Sequence, residues 1–335
     1  MQGQWRLGKC VAIGLAFLFM AAYCAGAVSA GEKITWRLSH TTAPESPYHI
    51  GAVAFAEAVA KLSEESFVIE IHHSGVLGWE REVLEAHQLG TLEISLPGLG
   101  PFAMFVPSYE IFNLPFLFRD VEHLQKAFKS EAMQTLKKDA EQYGFVVLEI
   151  GLPTFRYPMN TKRPIREVKD FQGLKIRTMG ISSHIDTYKA LGANVQTTAF
   201  SELYSALQLG VVDGEENFYG NHYTQKFFEV AKYLSEIPVF INSAAFVIAK
   251  SKWDKLTDAQ RGILREAAAE GVKAMNELAL AQEDEALEAM QKAGVKFNTV
   301  DSLDPFIDAT KGVKEKYLKE MAPWVSKLAD DFVNL

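Results

Sequence analysis

The side chain best placed to do chemistry is Arg177, in Gly173-Leu-Lys-Ile-Arg-Thr178. It follows apolar Ile176 at the carboxyl end of a predicted strand, residues 175–178, and open α/β sheets gather their ligands at that end. A guanidinium there can hold a carboxylate through two parallel hydrogen bonds, which a lysine cannot imitate. The same group serves equally well as half of a structural ion pair, and position alone leaves both open. Further on, a predicted helix starting at Ser201 passes through Gln208-Leu-Gly210 into Asp213-Gly-Glu-Glu-Asn217. The Asn217 amide offers donors and an acceptor, suited to a carboxylate, hydroxyl or keto oxygen. Together these groups allow a carboxylate-binding cleft as one reading, beside the structural one.

Turnover would need constellations that the chain does not spell. No His-Glu-x-x-His, Gly-x-Ser-x-Gly or phosphate-loop pattern occurs. His72 and His73 are adjacent, so on a strand they point to opposite faces. Ser182, Ser183 and His184 cluster at a predicted helix start, where capping is the cheaper explanation. We expect no catalytic residue, no metal and no cofactor.

The elements that must position Arg177 and Asn217 begin after an export signal. Arg6 and Lys9 supply its basic start, residues 11–20 its apolar centre, and Val28-Ser29-Ala30 a small-residue cleavage site. Residues 1–30 are thus expected to be a cleavable signal peptide that sends the chain to the periplasm, without membrane insertion of the mature protein. Both cysteines, Cys10 and Cys24, fall inside it, so no disulfide is expected. Loss of Arg6 and Lys9 deepens the formal charge from −8 to −10. That acidity argues against nucleic acid as a partner, and an anionic ligand must be captured by local positive charge.

Two domains are expected at this length. Leu84-Glu-Ala-His-Gln-Leu-Gly-Thr-Leu-Glu93 is echoed by Leu203-Tyr-Ser-Ala-Leu-Gln-Leu-Gly-Val-Val-Asp213, each a helix stopped by glycine and followed by a strand. In the first half, strands at 34–40, 67–73 and 91–96 alternate with helices at 47–62 and 79–89, a βαβαβ pattern that favours a parallel sheet. Asp120 caps a predicted helix over 120–143, and Phe112-Asn-Leu-Pro-Phe-Leu-Phe118 reads as a hydrophobic plug under the cleft. Residues 239–249 form an apolar strand suited to crossing between lobes. Residues 258–293 lack proline and are dense in Ala, Glu, Leu and Lys, giving one helix of about 50 Å or two broken near Gly271.

Several segments resemble the extracytoplasmic solute-binding subunit of TRAP transporters, the DctP-type periplasmic binding proteins. They are Gly51-Ala-Val-Ala-Phe-Ala-Glu57, Gly75-Val-Leu-Gly78, Leu114-Pro-Phe-Leu-Phe118, and the Arg177 and Asn217 motifs. The resemblance implies an α/β, two-lobed periplasmic binding protein fold with hinge-crossing strands and a long helix bracing both lobes. Lobe I would comprise 31–153 with 243–282 returning to it, and lobe II 154–242 with 283–335 packing on it. It further implies that Arg177 carries the ligand's carboxylate, that Arg156 and Asn217 close around it, and that Phe200 packs on it. His40, Tyr48 and Gly98 would line the first-lobe wall. Glu215 and Phe218 depart from the glutamine and proline usual in this pattern. The implied partners are a small carboxylate ligand and the TRAP membrane permease, driven by an ion gradient, commonly sodium. An ABC-type binding protein and a ligand-sensing co-receptor remain as alternatives, and the identity of the acid is left open.

Overall fold

The computed structural model describes residues 33–335. The expected signal peptide and both cysteines lie outside the described residues. Strand β1 (Ile34–Ser39) buries Trp36 and Leu38 and leads to α1 (Pro47–Leu62), where the Ser46 hydroxyl accepts the His49 N–H at 3.3 Å. Next come β2 (Phe67–His72), α2 (Glu80–Gln88) and β3 (Ile94–Ser95). β1 and β3 pair in parallel, as the βαβαβ pattern requires. β3 is shorter than the expected 91–96. Thr91 N–H is held by Ala86 O at 2.9 Å, and the Glu93 carboxylate takes the Arg37 N–H at 3.2 Å in place of a ladder bond.

Strand β4 (Phe145–Asn160) is followed by β5 (Lys175–Thr178), α3 (Ser182–Ala190), β6 (Asn194–Thr197), β7 (Gly214–Asn217) and α4 (Tyr219–Thr224). The short β8 (Tyr233–Ser235) precedes β9 (Phe240–Ala249), α5 (Asp258–Lys292) and β10 (Lys296–Asn298). The sheet order is β2-β1-β3-β9-β4-β7-β5-β6, with β8 and β10 paired beside β4. β4 and β9 run antiparallel from Phe145 opposite Ala249 to Arg156 opposite Phe240, so this pair joins the strands of the two ends. Their register shifts between Gly151 and Thr154, where Leu152 takes a left-handed φ of 59°. Such a backbone costs a branched residue roughly 1–2 kcal/mol. The N–H that Leu152 frees is taken by Asn276 Oδ1 of α5 at 2.6 Å.

α5 is one unbroken helix of 35 residues, capped by Thr257, so the alternative of two helices is set aside. Gly271 does not break it. A Cβ there would meet Gly51 O of α1 at 2.8 Å, so the glycine serves close approach of two helices. The expected helix over 120–143 needs correction, being Val121–Phe128, Glu131–Asp139 and a 3-10 turn, Ala140–Tyr143. Ser130 is the cause. Its hydroxyl donates to Ala127 O at 2.7 Å, ending one helix, and accepts the Met133 N–H, starting the next. The aromatic plug is buried through Phe112, Leu114, Leu117 and Phe118.

The echo between the two halves is structural. Gly90 and Gly210 take φ of 69° and 70°, and the leucine before each is exposed. Glu93 then receives the Arg37 N–H of β1, and Asp213 the Lys175 N–H of β5 at 3.0 Å. Each acid pins the strand parallel to its own. No helix among the described residues is long and apolar enough to cross a membrane.

Candidate ligand-binding site

Arg177 sits on β5, the strand beside β7, and is 3 % exposed. Its Nε donates to Thr198 O at 2.9 Å, the one hydrogen bond its guanidinium makes among the described residues. Burial disfavours its charge most strongly, Glu216 and Glu215 offset this only in part, and Arg156 adds repulsion. The guanidinium is therefore held below its ordinary range.

Arg156 sits on β4 and is 5 % exposed, yet its position is the opposite electrostatically. Nε donates to Glu216 Oε2, Nη2 to Glu216 O at 2.7 Å and Nη1 to Asn242 Oδ1 at 3.1 Å. Burial works against this charge too, but Glu216 more than offsets it and holds Arg156 above the usual guanidinium range. Burial alone would raise the Glu216 carboxyl, whereas Arg156 and then His184 bring it down to about 2. The ring of His184 lies flat on Phe240, centroids 3.6 Å apart, with Nδ1 3.7 Å from Glu216 Oε1.

Both arginines open on a cavity of 450 Å³ that Asn217, Phe200, Tyr48 and Gly98 also line. Asn217, on β7, is buried, and its Oδ1 accepts Asn221 Nδ2 at 2.9 Å. Phe200 stands on a 3-10 turn with the Arg177 guanidinium 6.0 Å from its ring centroid, and packs edge-on against Phe227. It is at once a wall of the cavity and part of the core. Tyr48, near the start of α1, is buried facing Glu80, Arg156 and Asn242, and burial first and Glu80 second raise its hydroxyl well above the ordinary range.

His40 is the exception, because it is buried but not on the cavity wall. Its Nδ1 lies 3.1 Å from Thr42 Oγ1 and its Nε2 3.0 Å from His49 Nδ1. Burial first, then His49 and His73, push it down to about 3. Thr42 in turn meets the Ser46 cap of α1 at 2.6 Å, so His40 supports the Thr41-Thr42 loop that does face the cavity.

Glu80 was not singled out in the sequence. At the first position of α2 it reads as an ordinary helix-start acid, stabilised by the dipole. In the fold its Oε1 accepts the Gly98 N–H at 3.1 Å and it lines the cavity. Burial raises its carboxyl, with Gly98, Arg156 and Arg177 pulling the other way. Gly98 leaves it room, since a Cβ there would stand 3.4 Å from Glu80 Oε1. Asn242 and His184 were also missed. Single polar residues within an apolar strand or a helix start carry no local signal of the cavity they reach.

A cleft lined from both ends of a crossed α/β sheet, with one under-compensated buried guanidinium on its wall, has the form of a site for a small solute. The family profile described as "Bacterial extracellular solute-binding protein, family 7" (DctP) matches residues 38–320, and the chain belongs to this family, the extracytoplasmic solute-binding proteins of TRAP transporters. It is 36 % identical over 264 residues to the C4-dicarboxylate-binding periplasmic protein DctP of Rhodobacter capsulatus, covering 78 % of this chain and 79 % of that protein. Among solved structures, a TRAP periplasmic solute-binding protein from Sulfitobacter sp. NAS-14.1 with bound β-D-galacturonate superposes with a TM-score of 0.86. The two are 29 % identical, covering 90 % of this chain and 100 % of that one. One from Polaromonas sp. JS666 bound to D-erythronate gives 0.85 at 31 % identity, covering 90 % and 98 %.

Proposed function

We propose that this protein captures a small hydroxylated monocarboxylate in the periplasm and delivers it unchanged to a TRAP membrane permease. The observation that carries this reading is the buried Arg177 guanidinium, whose two terminal nitrogens are unpaired on a cavity wall. A ligand carboxylate across them would supply the counter-charge that Arg156 already has and Arg177 lacks. A second ligand carboxylate would find no comparable partner. Arg156 is engaged on three nitrogens, and the cavity also presents the Glu80 carboxyl, which would repel a second anion and accept from a hydroxyl. Galacturonate and erythronate, bound by two relatives, have this chemistry.

In this reading residues 31–153 with 243–282 make one lobe and 154–242 with 283–335 the other, after removal of a signal at 1–30. The lobes shut on the ligand because only the closed cleft satisfies it from both sides, so binding shifts the equilibrium toward closure. The permease recognises the closed form. A thermal-shift panel of D-galacturonate, D-erythronate, succinate and neutral galactose tests the ligand class. A ligand at a hundred times its Kd adds about 2.7 kcal/mol of stability. Melting should rise with the two hydroxy acids most. A rise with galactose alone, or with nothing, returns Arg177 to a structural role.

A further inference from the structure

Glu215 stands where the pattern this chain resembles has glutamine, and its surroundings give that difference a purpose. Glu215 Oε1 lies 2.9 Å from His222 Nδ1 of α4, with both side chains at 0 % exposure. Neither atom has a hydrogen-bond partner among the described residues, so they face each other as a close ion-pair contact and not as an aligned hydrogen bond. The opposite ring nitrogen, His222 Nε2, is 3.2 Å from Tyr157 O. A carbonyl only accepts, so Nε2 carries a proton. A ring with that proton alone would aim the Nδ1 lone pair at a carboxylate oxygen in a dry interior. Only a proton held between the two removes that clash, and the nearby Arg156 and Arg177 charges favour an ionised Glu215, which puts the proton on Nδ1. Around the pair stand Arg156 of β4 and Arg177 of β5, both acted on by Glu215, together with Tyr188 of α3. Glu283 of α5 and Glu236 act on the adjoining Tyr157 and Tyr219.

The other Glu215 oxygen, Oε2, accepts Asn217 Nδ2 at 3.3 Å. Asn217 Oδ1 is occupied by Asn221 Nδ2 and by the Phe218 N–H at 3.3 Å. A carboxylate can only accept, whereas a glutamine side chain can also donate and would allow the Asn217 amide to turn over. With glutamate at 215 the amide has one orientation. One N–H is given to Glu215 and the other is left for the cavity that Asn217 lines.

Resting on the acid-binding function proposed above, we infer that Glu215 and His222 are a positioning pair. A proton on His222 Nδ1 offsets the buried Glu215 carboxylate, which stays an acceptor in the core and thereby presents Asn217 to the ligand as a donor. The first arm of the test needs no ligand. Nitrogen-15 NMR of the full chain at neutral pH, with the His222 signals identified by their loss in His222→Gln, should show both ring nitrogens protonated. Glu215→Gln should leave Nδ1 bare. A bare Nδ1 in the unaltered protein overturns the inference. The second arm titrates D-galacturonate. His222→Gln should weaken binding about tenfold or more, and adding Glu215→Gln to it should recover about threefold or more, because the buried carboxylate no longer lacks a partner. Losses that simply add would mean the two side chains only pack. Should no acid bind the unaltered protein, the functional reading fails while the NMR result still decides the pair.

Discussion

Arg156 and Arg177 are two buried guanidiniums on one cavity, and they differ in what they have been given. Arg156 meets Glu216 and Asn242 through three nitrogens, whereas Arg177 holds one backbone carbonyl and is otherwise unpaired. Burial weakens the charged form of both, and only Arg156 receives enough negative charge to offset it. On the proposed reading, a buried charge becomes a binding group when the fold withholds its partner. The partnered one becomes framework.

The largest expected effect falls on the framework. Arg156→Ala leaves Glu216 buried without its counter-charge, which typically costs about 3–5 kcal/mol of stability. Urea unfolding measures it directly, and a combined Arg156→Met, Glu216→Met variant should recover much of the loss. Acid should mimic the single mutant. The folded Glu216 carboxyl ionises near about 2, below an unfolded value of roughly 4.3, so its contribution is complete above that unfolded value and is lost as pH falls toward about 2. The stability gap between the unaltered protein and Glu216→Gln should therefore narrow over that window. A gap constant from pH 5 to pH 2 would mean that Glu216 does not depend on Arg156.

Arg177→Ala should do the reverse. Binding of D-galacturonate by calorimetry should fall about a hundredfold, near 2.7 kcal/mol, while urea stability changes little or rises, because an under-compensated buried charge has been removed. Equal losses of stability in both alanine variants would dissolve the contrast between the arginines.

How far this contrast was legible in the sequence differs between its two sides. Arg177 and Asn217 lie in contiguous strand and helix motifs whose chemistry can be read locally, and the crossing strand and the long α5 announce themselves by apolar runs and by length. The bond between Arg156 and Glu216 joins positions sixty residues apart on antiparallel neighbours, and depends on the pairing of Pro158 with Glu216. Nothing near either residue encodes that register. His40 misled for the same reason, since a histidine in a loop looks the same whether it turns toward the cavity or toward His49. The break at Ser130 was missed because its neighbours all favour helix, and only the hydroxyl's competition for Ala127 O ends the turn.

Arg177→Lys sharpens the contrast at smaller scale. It keeps the charge and removes the fork, so an acid held by two parallel bonds should lose about tenfold in affinity, near 1.4 kcal/mol. Unchanged affinity in a galacturonate titration would show that a point charge suffices.

The smallest effect expected is at Glu80, and it concerns selectivity more than affinity. Glu80→Gln preserves the acceptor that holds the Gly98 N–H and exchanges the second oxygen for an NH₂ donor. A ligand hydroxyl that donated to the carboxylate loses its acceptor, while a second ligand carboxylate gains a donor and escapes repulsion. Binding of D-galacturonate should weaken about threefold and that of succinate strengthen about threefold, moving their ratio about tenfold. Because the substitution removes a buried acid without changing its shape, altered packing would lower both affinities together. A ratio that stays fixed would place Glu80 out of reach of the ligand, leaving Arg177 alone to define what the cleft accepts.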